Sequence, residues 1–298
     1  MIHVVTLVSN PARPALTDAL VAAVSALLPA ACEPDWLEPG VACDIAFAPV
    51  GEIDNRAVAD RLRGVLGDAP VDVMVQAAKG RRKKLFLADM DSTMIGQECI
   101  DELADFAGMK EHVSGITERA MRGEIAFEPA LRERVALLKG LKADIIDQVI
   151  SERIRLTPGG RELVQTMRAN GAYTALVSGG FTVFTEKIAA RIGFHEHRSN
   201  TLIIEGDFFA GLVQEPILGR EAKLASLTSL RIAHELAPED TMAVGDGAND
   251  LAMLEEAGAG VAFHAKPAVA AAAAYRVDHG DLSALLYMQG YRRSEFRT

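Results

Sequence analysis

The sequence predicts an α/β protein built on a doubly wound parallel sheet with a helical cap insert, preceded by a small ferredoxin-like α+β unit. Three observations carry this expectation. Short apolar runs at Leu85–Ala88, Tyr173–Val177 and Thr241–Val244 end abruptly in polar residues or glycines, as buried parallel strands do. Between the first two, Glu98 to Arg155 reads as several amphipathic helices without a convincing strand. Ahead of them, residues 1 to 80 run strand–helix–strand–strand–helix–strand.

In chain order, the first block offers a strand at Val4–Ser9, a helix at Ala15–Leu28, a strand at Cys43–Pro49, a helix at Arg56–Leu66 and a strand at Val71–Gln76. The loop Ala31–Gly40, which contains Trp36, hides a further strand. Gly80-Arg-Arg-Lys-Lys84 is a short basic linker, expected to be a solvated joint. Residues 81–298 form the second domain, its cap at about 96–155. The patterns there alternate strand and helix, with helices over Phe181–Ile192 and Arg220–Leu236. A hairpin is expected over Thr201–Ile217, around Glu205-Gly206-Asp207. His195 and His197 read as part of a solvated loop rather than a metal site, and Ala268–Ala274 as a packed helix.

Composition narrows the class of protein. The chain has 298 residues, enough for two domains, and no apolar stretch long enough to cross a membrane. The first residues lack a signal-peptide pattern. Cys32, Cys43 and Cys99 form no C-x-x-C, so neither a disulfide framework nor a zinc site is suggested, and a reducing cytoplasm is the expected location. A formal net charge of −10 argues against nonspecific nucleic-acid binding but not against a small anionic substrate, which responds to the local field.

The chemistry sits where the strands end. Asp89 and Asp91 follow Leu85–Ala88 at the position where open α/β sheets bind ligands. The first carboxylate can act as a nucleophile toward phosphorus, and the second can reach the same group as a proton donor. An Asx turn with Thr93 capping a helix is the alternative. Ser178, with the backbone N–H groups of Gly179 and Gly180, suits an oxyanion cradle at a helix start, though a ligand-free strand–helix turn has the same look. Lys223 is either a counter-charge to a phosphate and an aspartate or a solvated helix lysine. Asp246, Asn249 and Asp250 place three oxygen-bearing side chains within five residues, which suits Mg²⁺.

Taken together and in this order, D-M-D-S-T, the strand-Ser-Gly-Gly, the lysine and G-D-G-A-N-D resemble the motifs of the haloacid dehalogenase superfamily. Within it the chain resembles the phosphoserine phosphatase family, through Asp89–Thr93 with Glu98, Glu118–Gly123, Phe127–Val135 and Val177–Phe181. The resemblance covers roughly Lys84 to Tyr291. It implies Mg²⁺-dependent hydrolysis of phosphoserine, the last step of serine biosynthesis, through an aspartyl-phosphate on Asp89 with Asp91 as acid and then base. Asp89, the Asp91 carbonyl and Asp246 would hold the ion, with Asp250 helping. Ser178, the Gly179 amide and Lys223 would offset charge on the phosphoryl group, beside Gly180 and Asn249. Glu98 would take the substrate ammonium and Arg134 its α-carboxylate, with Met121 and Phe127 as apolar lid residues. On residue type alone Glu98 is a helix N-terminal acid and Arg134 a surface charge; only the motif separates Arg134 from Arg132.

Two other readings use the same residues. A phospho-accepting receiver combines aspartate, Mg²⁺, a hydroxyl and lysine, but needs neither a second acid nor a cap. A phosphotransferase would pass the group to another alcohol. The N-terminal block resembles an ACT-type regulatory domain, a kind that pairs between subunits, which implies a homodimer. Its first turn, Ser9-Asn-Pro-Ala-Arg-Pro14, lacks the glycine that would admit an amino acid closely, so a structural or dimerising role is expected rather than serine sensing.

Overall fold

A computed structural model describes residues 1–298. Strands β1 (His3–Ser9), β2 (Asp35–Glu38), β3 (Ala42–Phe47) and β4 (Val71–Ala77) form an antiparallel sheet in the order β2-β3-β1-β4. β2 is the strand expected within residues 31–40. Helix Asp18–Ser25 starts at Thr17, whose side chain accepts from Leu20 N. Helix Asn55–Leu66 starts at Asp54, which accepts from Arg56 N and Ala57 N. Val5, Leu7, Ile45, Phe47, Val73 and Val75 cluster with Val21, Val24, Leu62 and Leu66 from these helices.

Strand alternation sends the intervening residues to the other face, which is buried too. Val8, Ala42 and Met74 join the main core together with Tyr287 and Met288 from the far end of the chain. The buried polar groups of this face are all paired. Thr6 Oγ1 donates to Asp44 Oδ1 at 2.7 Å, and Gln76 Nε2 donates to Met288 O at 2.7 Å. Asp72 accepts from the backbone N–H groups of Asp278 and Gly280, each at 2.7 Å, and of His279 at 3.2 Å.

The basic joint is solvated in part, with Arg82 and Lys84 exposed and Arg81 mostly covered, and its charges are paired. Arg81 pairs with Asp44 at 2.5 Å, Arg82 with Glu295 at 2.8 Å, and Lys84 with Asp240 at 3.1 Å. Arg82 also lies over the Tyr291 ring, 3.9 Å from its centroid.

From Leu85 onward come β5 (Leu85–Ala88), β6 (Tyr173–Phe181), β7 (Glu196–Asn200), β8 (Leu202–Glu205), β9 (Phe208–Val213), β10 (Thr241–Gly245), β11 (Ala259–Phe263) and β12 (Tyr275–Val277). Six of them make a parallel sheet in the order β12-β11-β10-β5-β6-β7, and β8–β9 form a separate hairpin. The central strand β5 is buried on both faces, Phe86 and Ala88 packing into one core and Leu85 and Leu87 into the other. The winding of the sheet reverses beside β5, leaving a crevice at the carboxyl ends of β5, β6 and β10.

His195 and His197 lie at and in the edge strand β7 instead of a loop. His195 stacks on Tyr173, and His197 Nδ1 meets Thr185 Oγ1 at 3.0 Å.

The insert between β5 and β6 is helical, with helices Cys99–Phe106, Lys110–Met121, Phe127–Ala136 and Ile145–Gln148. The β8–β9 hairpin backs onto it, since Gly140 N donates to Phe209 O and Ala143 N to Asp207 O, both at 2.9 Å. All three cysteines are free. No helix is long and apolar enough to cross a membrane.

Candidate active site

The chain leaves β5 at Asp89, which is buried and whose Oδ1 accepts from Met90 N at 2.8 Å. Three residues on, Ser92 has φ +54°, a left-handed conformation uncommon for a residue with a Cβ. It folds the segment back so that Ser92 Oγ donates to Glu98 Oε1 at 2.6 Å. Asp91 is thereby held between two donors, Cys99 N to Oδ1 at 2.9 Å and Ser178 Oγ to Oδ2 at 3.3 Å. Burial raises the Asp91 carboxyl above its usual range, and the Cys99 N–H pulls it partly back.

β6 ends in Ser178, whose Oγ accepts from Gly180 N at 2.8 Å. The glycines here are required for space. A Cβ on Gly179 would sit 2.6 Å from Phe127 Cζ, and one on Gly180 would sit 2.7 Å from Asp91 Oδ2. Asn200, at the end of β7, donates through Nδ2 to Gly179 O at 2.8 Å and accepts from Leu218 N at 2.6 Å. It thus ties the Ser-Gly-Gly turn to the segment that leads into helix Arg220–Ala233.

That helix carries Lys223, which is wholly buried. Its Nζ lies 2.7 Å from Asp89 Oδ1 and 2.6 Å from Asp250 Oδ1. Despite burial, these carboxylates hold the ammonium above its ordinary value. Beyond β10, Asp250 Oδ2 accepts from Gly247 N at 3.1 Å, and Thr93 Oγ1 donates to Asp246 Oδ1 at 3.4 Å. Carboxylate oxygens of Asp89, Asp246 and Asp250 lie within 4.8 Å of one another. Desolvation, reinforced by the charge of Asp250, pushes Asp246 up to about 7 and Asp89 well above the carboxylate range. One lysine does not neutralise three buried acids, and hard oxygen donors so placed suit a divalent cation. The Asp91 carboxylate stands outside this trio, turned to Cys99 and Ser178.

The cap closes the crevice. Asp89, Asp91, Glu98, Met121, Phe127, Arg134, Ser178, Gly179, Gly180 and Asn249 all line one cavity, together with Ile100, Leu131 and Phe181. Asn249 Oδ1 is buried there without a partner. Burial and the charge of Asp91 push Glu98 well above the usual carboxylate range. Arg134 is buried and faces the cavity, while Arg132 is exposed and paired with Glu215 at 2.7 Å. The two arginines that residue type could not separate are therefore placed apart.

Lys223 joins Asp89 from a helix more than a hundred residues downstream. Asn200 and the apolar wall of Ile100, Leu131 and Phe181 were not foreseen. An asparagine ending a polar edge strand carries no signal in a single sequence.

Residues 86–255 match the family model of haloacid dehalogenase-like hydrolases. A curated phosphoserine phosphatase of Albidiferax ferrireducens is 46% identical over 208 residues, 68% of this chain and 88% of its own length. Among solved structures, a phospho-aspartyl intermediate analogue of phosphoserine phosphatase is 39% identical with a TM-score of 0.66, over 69% of this chain and 98% of that one. The unliganded structure of a probable phosphoserine phosphatase from Vibrio cholerae is 32% identical with a TM-score of 0.75, over 99% of this chain and 88% of that one. The chain spans 63% of the length of another curated phosphoserine phosphatase, from Archaeoglobus fulgidus.

Proposed function

The chain belongs to the haloacid dehalogenase-like hydrolases and, among them, to the phosphoserine phosphatases, and from that premise we propose how its residues divide the hydrolysis of phosphoserine to serine and phosphate. The observation that carries the assignment is a single cavity. Its floor holds the Asp89–Asp91 pair, and its cap side holds one acid, Glu98, and one base, Arg134. A substrate with a phosphate, an ammonium and a carboxylate meets a partner for each.

In the first step an oxygen of Asp89 attacks phosphorus in line. Lys223 and Met90 N–H both engage Oδ1, so Oδ2 is the oxygen without a protein donor. The bond from phosphorus to the serine oxygen breaks, and Asp91 gives that oxygen its proton. The raised carboxyl of Asp91 suits this, because a general acid works best with a pKa near the operating pH. In the second step Asp91 takes a proton from the attacking water, phosphate leaves, and Asp89 is restored. Ser178 Oγ, the Gly179 N–H and Lys223 stabilise charge on the transferring group. Glu98 binds the ammonium and Arg134 the carboxylate, while Met121 and Phe127 exclude bulk water. Asp89, Asp246 and Asp250, with the Asp91 carbonyl, would hold Mg²⁺. When bound, the ion supplies positive charge against the phosphoryl oxygens.

The direct test is phosphate release from L-phosphoserine, with EDTA and phosphothreonine as controls. Chelator-sensitive release that prefers phosphoserine supports the assignment. Transfer to added alcohols in place of release would favour a phosphotransferase, and an acyl-phosphate lasting minutes a receiver.

The acids predict a further result. Unfolded aspartate titrates near about 3.9, whereas folded Asp246 without a cation titrates at about 7. Between these values the folded state holds more protons than the unfolded one, so stability falls as pH rises through the window. Mg²⁺ replaces those protons. Its effect on Tm should therefore be larger at pH 7.5 than at pH 5.5, and equal shifts would remove these acids as ligands.

Residues 1–80 are read as an ACT-like, ferredoxin-like domain and 81–298 as the phosphatase domain, with the cap at about 96–155. The β2-β3-β1-β4 order with two helices on one face supports this. Asn10, in the turn after β1, donates to His279 O at 3.1 Å and so is engaged within the chain rather than offered to an amino acid; a structural or subunit-pairing role is the one proposed for this domain. Deleting residues 1–80 should lower both solution mass and Tm beyond the loss of the segment itself. An unchanged oligomeric state with unchanged stability would refute that role. The free cysteines agree with a cytoplasmic enzyme.

A further inference from the structure

Arg134 is nearly inaccessible to solvent, at 2% exposure, yet it makes no direct ion pair in the protein. Its Nε donates to Ala130 O at 3.1 Å within its own helix, and its Nη1 donates to Thr117 Oγ1 at 2.9 Å. Nη2 has no protein acceptor. Thr117 Oγ1 lies 2.7 Å from Asp101 Oδ1 and 3.0 Å from Val113 O. A hydroxyl has one proton to give, and the charged, nearer carboxylate is the stronger acceptor. With the Thr117 proton directed to Asp101, the lone pairs of Oγ1 are left for Arg134. Asp101 is itself fixed from a second side, because Ser114 Oγ donates to its Oδ2 at 2.8 Å. The negative charge of Asp101 thus reaches the guanidinium through one hydroxyl, and it is among the charges that favour the ionised form of Arg134.

The three residues come from three cap helices, Asp101 from Cys99–Phe106, Thr117 from Lys110–Met121 and Arg134 from Phe127–Ala136. We infer that Asp101 and Thr117 are positioning residues that aim the free edge of Arg134 at the substrate carboxylate, and so set the preference for an amino-acid phosphate over a phosphate ester lacking a carboxylate. A direct Asp–Arg pair would occupy the fork and compete with substrate. A hydroxyl between them orients the guanidinium and partly offsets its charge, yet leaves Nη2 free. A pre-oriented planar fork loses less entropy on binding a carboxylate than a mobile one.

This inference rests on the carboxylate-binding role proposed for Arg134, and the experiment separates the two. Thr117→Val keeps the shape of the side chain and removes the oxygen, Thr117→Ser keeps the oxygen, and Arg134→Ala removes the fork. The quantity to measure is the ratio of kcat/KM for phosphoserine to that for phosphoethanolamine, which has the ammonium but no carboxylate. The ratio should fall about tenfold in Thr117→Val, with the loss mainly in KM for phosphoserine. Thr117→Ser should restore it, and Asp101→Asn should fall between the two. If Arg134→Ala collapses the ratio while Thr117→Val leaves it intact, the relay is wrong and the role of Arg134 stands. A ratio unchanged in Arg134→Ala overturns both. Should Thr117→Val fail to fold, a phosphoserine preference in Asp101→Asn equal to that of the unmodified enzyme overturns the relay by itself.

Discussion

Asp89→Asn is expected to abolish phosphoserine hydrolysis, lowering kcat by on the order of 10⁴-fold or more, as loss of a covalent nucleophile does in other enzymes. Asparagine has nearly the shape of aspartate, and its carbonyl oxygen can still accept from Met90 N and Lys223 Nζ, which hold Oδ1 at 2.8 Å and 2.7 Å. The fold should therefore survive. What is lost is the anionic oxygen proposed to bond to phosphorus. The ion-free variant should also be at least as thermally stable as the unmodified protein at pH 7.5. Burial and the neighbouring Asp250 push the Asp89 carboxyl well above its usual range, so its charge is a burden on the folded state. Loss of turnover with no loss of Tm is the expected pair of results. Retention of more than a few per cent of activity would remove Asp89 as the nucleophile.

Lys223→Met should be costly for both activity and stability. The lysine is fully buried and is the cation within ion-pair distance of both Asp89 and Asp250. Removing one partner of a buried ion pair typically costs about 3–5 kcal/mol, because the remaining charge is left uncompensated. Methionine matches the stem of lysine in length, so the loss reports charge more than volume. The direction with pH follows. As pH falls, Asp89 and Asp246, whose carboxyls burial holds above the usual range, take up protons and need a cation less, so the penalty should shrink between pH 7.5 and pH 5.5. Urea denaturation of both proteins at the two pH values, without divalent ions, checks this. A penalty independent of pH would mean that packing, and not charge, is the role of Lys223.

The core of the site was legible because each of its motifs is local. Asp89 with Asp91, Ser178 with its glycines, and Asp246 to Asp250 each stand just past an apolar run, and a parallel sheet brings the ends of such runs together. Lys223 had less to show, since a single lysine in a helix is ambiguous until Asp89 and Asp250 are seen on either side of it. Thr117, Asp101 and Asn200 were invisible for the same reason. Each is an ordinary residue at an ordinary position, and its role exists only through partners on other elements.

The misread β7 has a different cause. It is an edge strand, half-buried along most of Glu196–Asn200, so it lacks the apolar run by which its neighbours were found. Arg81 departs from the solvated reading that fits Arg82 and Lys84, because a basic cluster looks uniformly solvated until Asp44 of a distant strand is seen beside one member.

The second buried face of the first sheet bears on how the molecule comes apart. Val8 and Met74 share a core with Tyr287, and the Asp72 carboxylate caps the 278–280 loop. Opening either end of the chain exposes apolar surface on the other and leaves a buried carboxylate unpaired. The amide protons of β1, β4 and helix Ala284–Met288 should therefore exchange with deuterium at a common rate, as one cooperative unit.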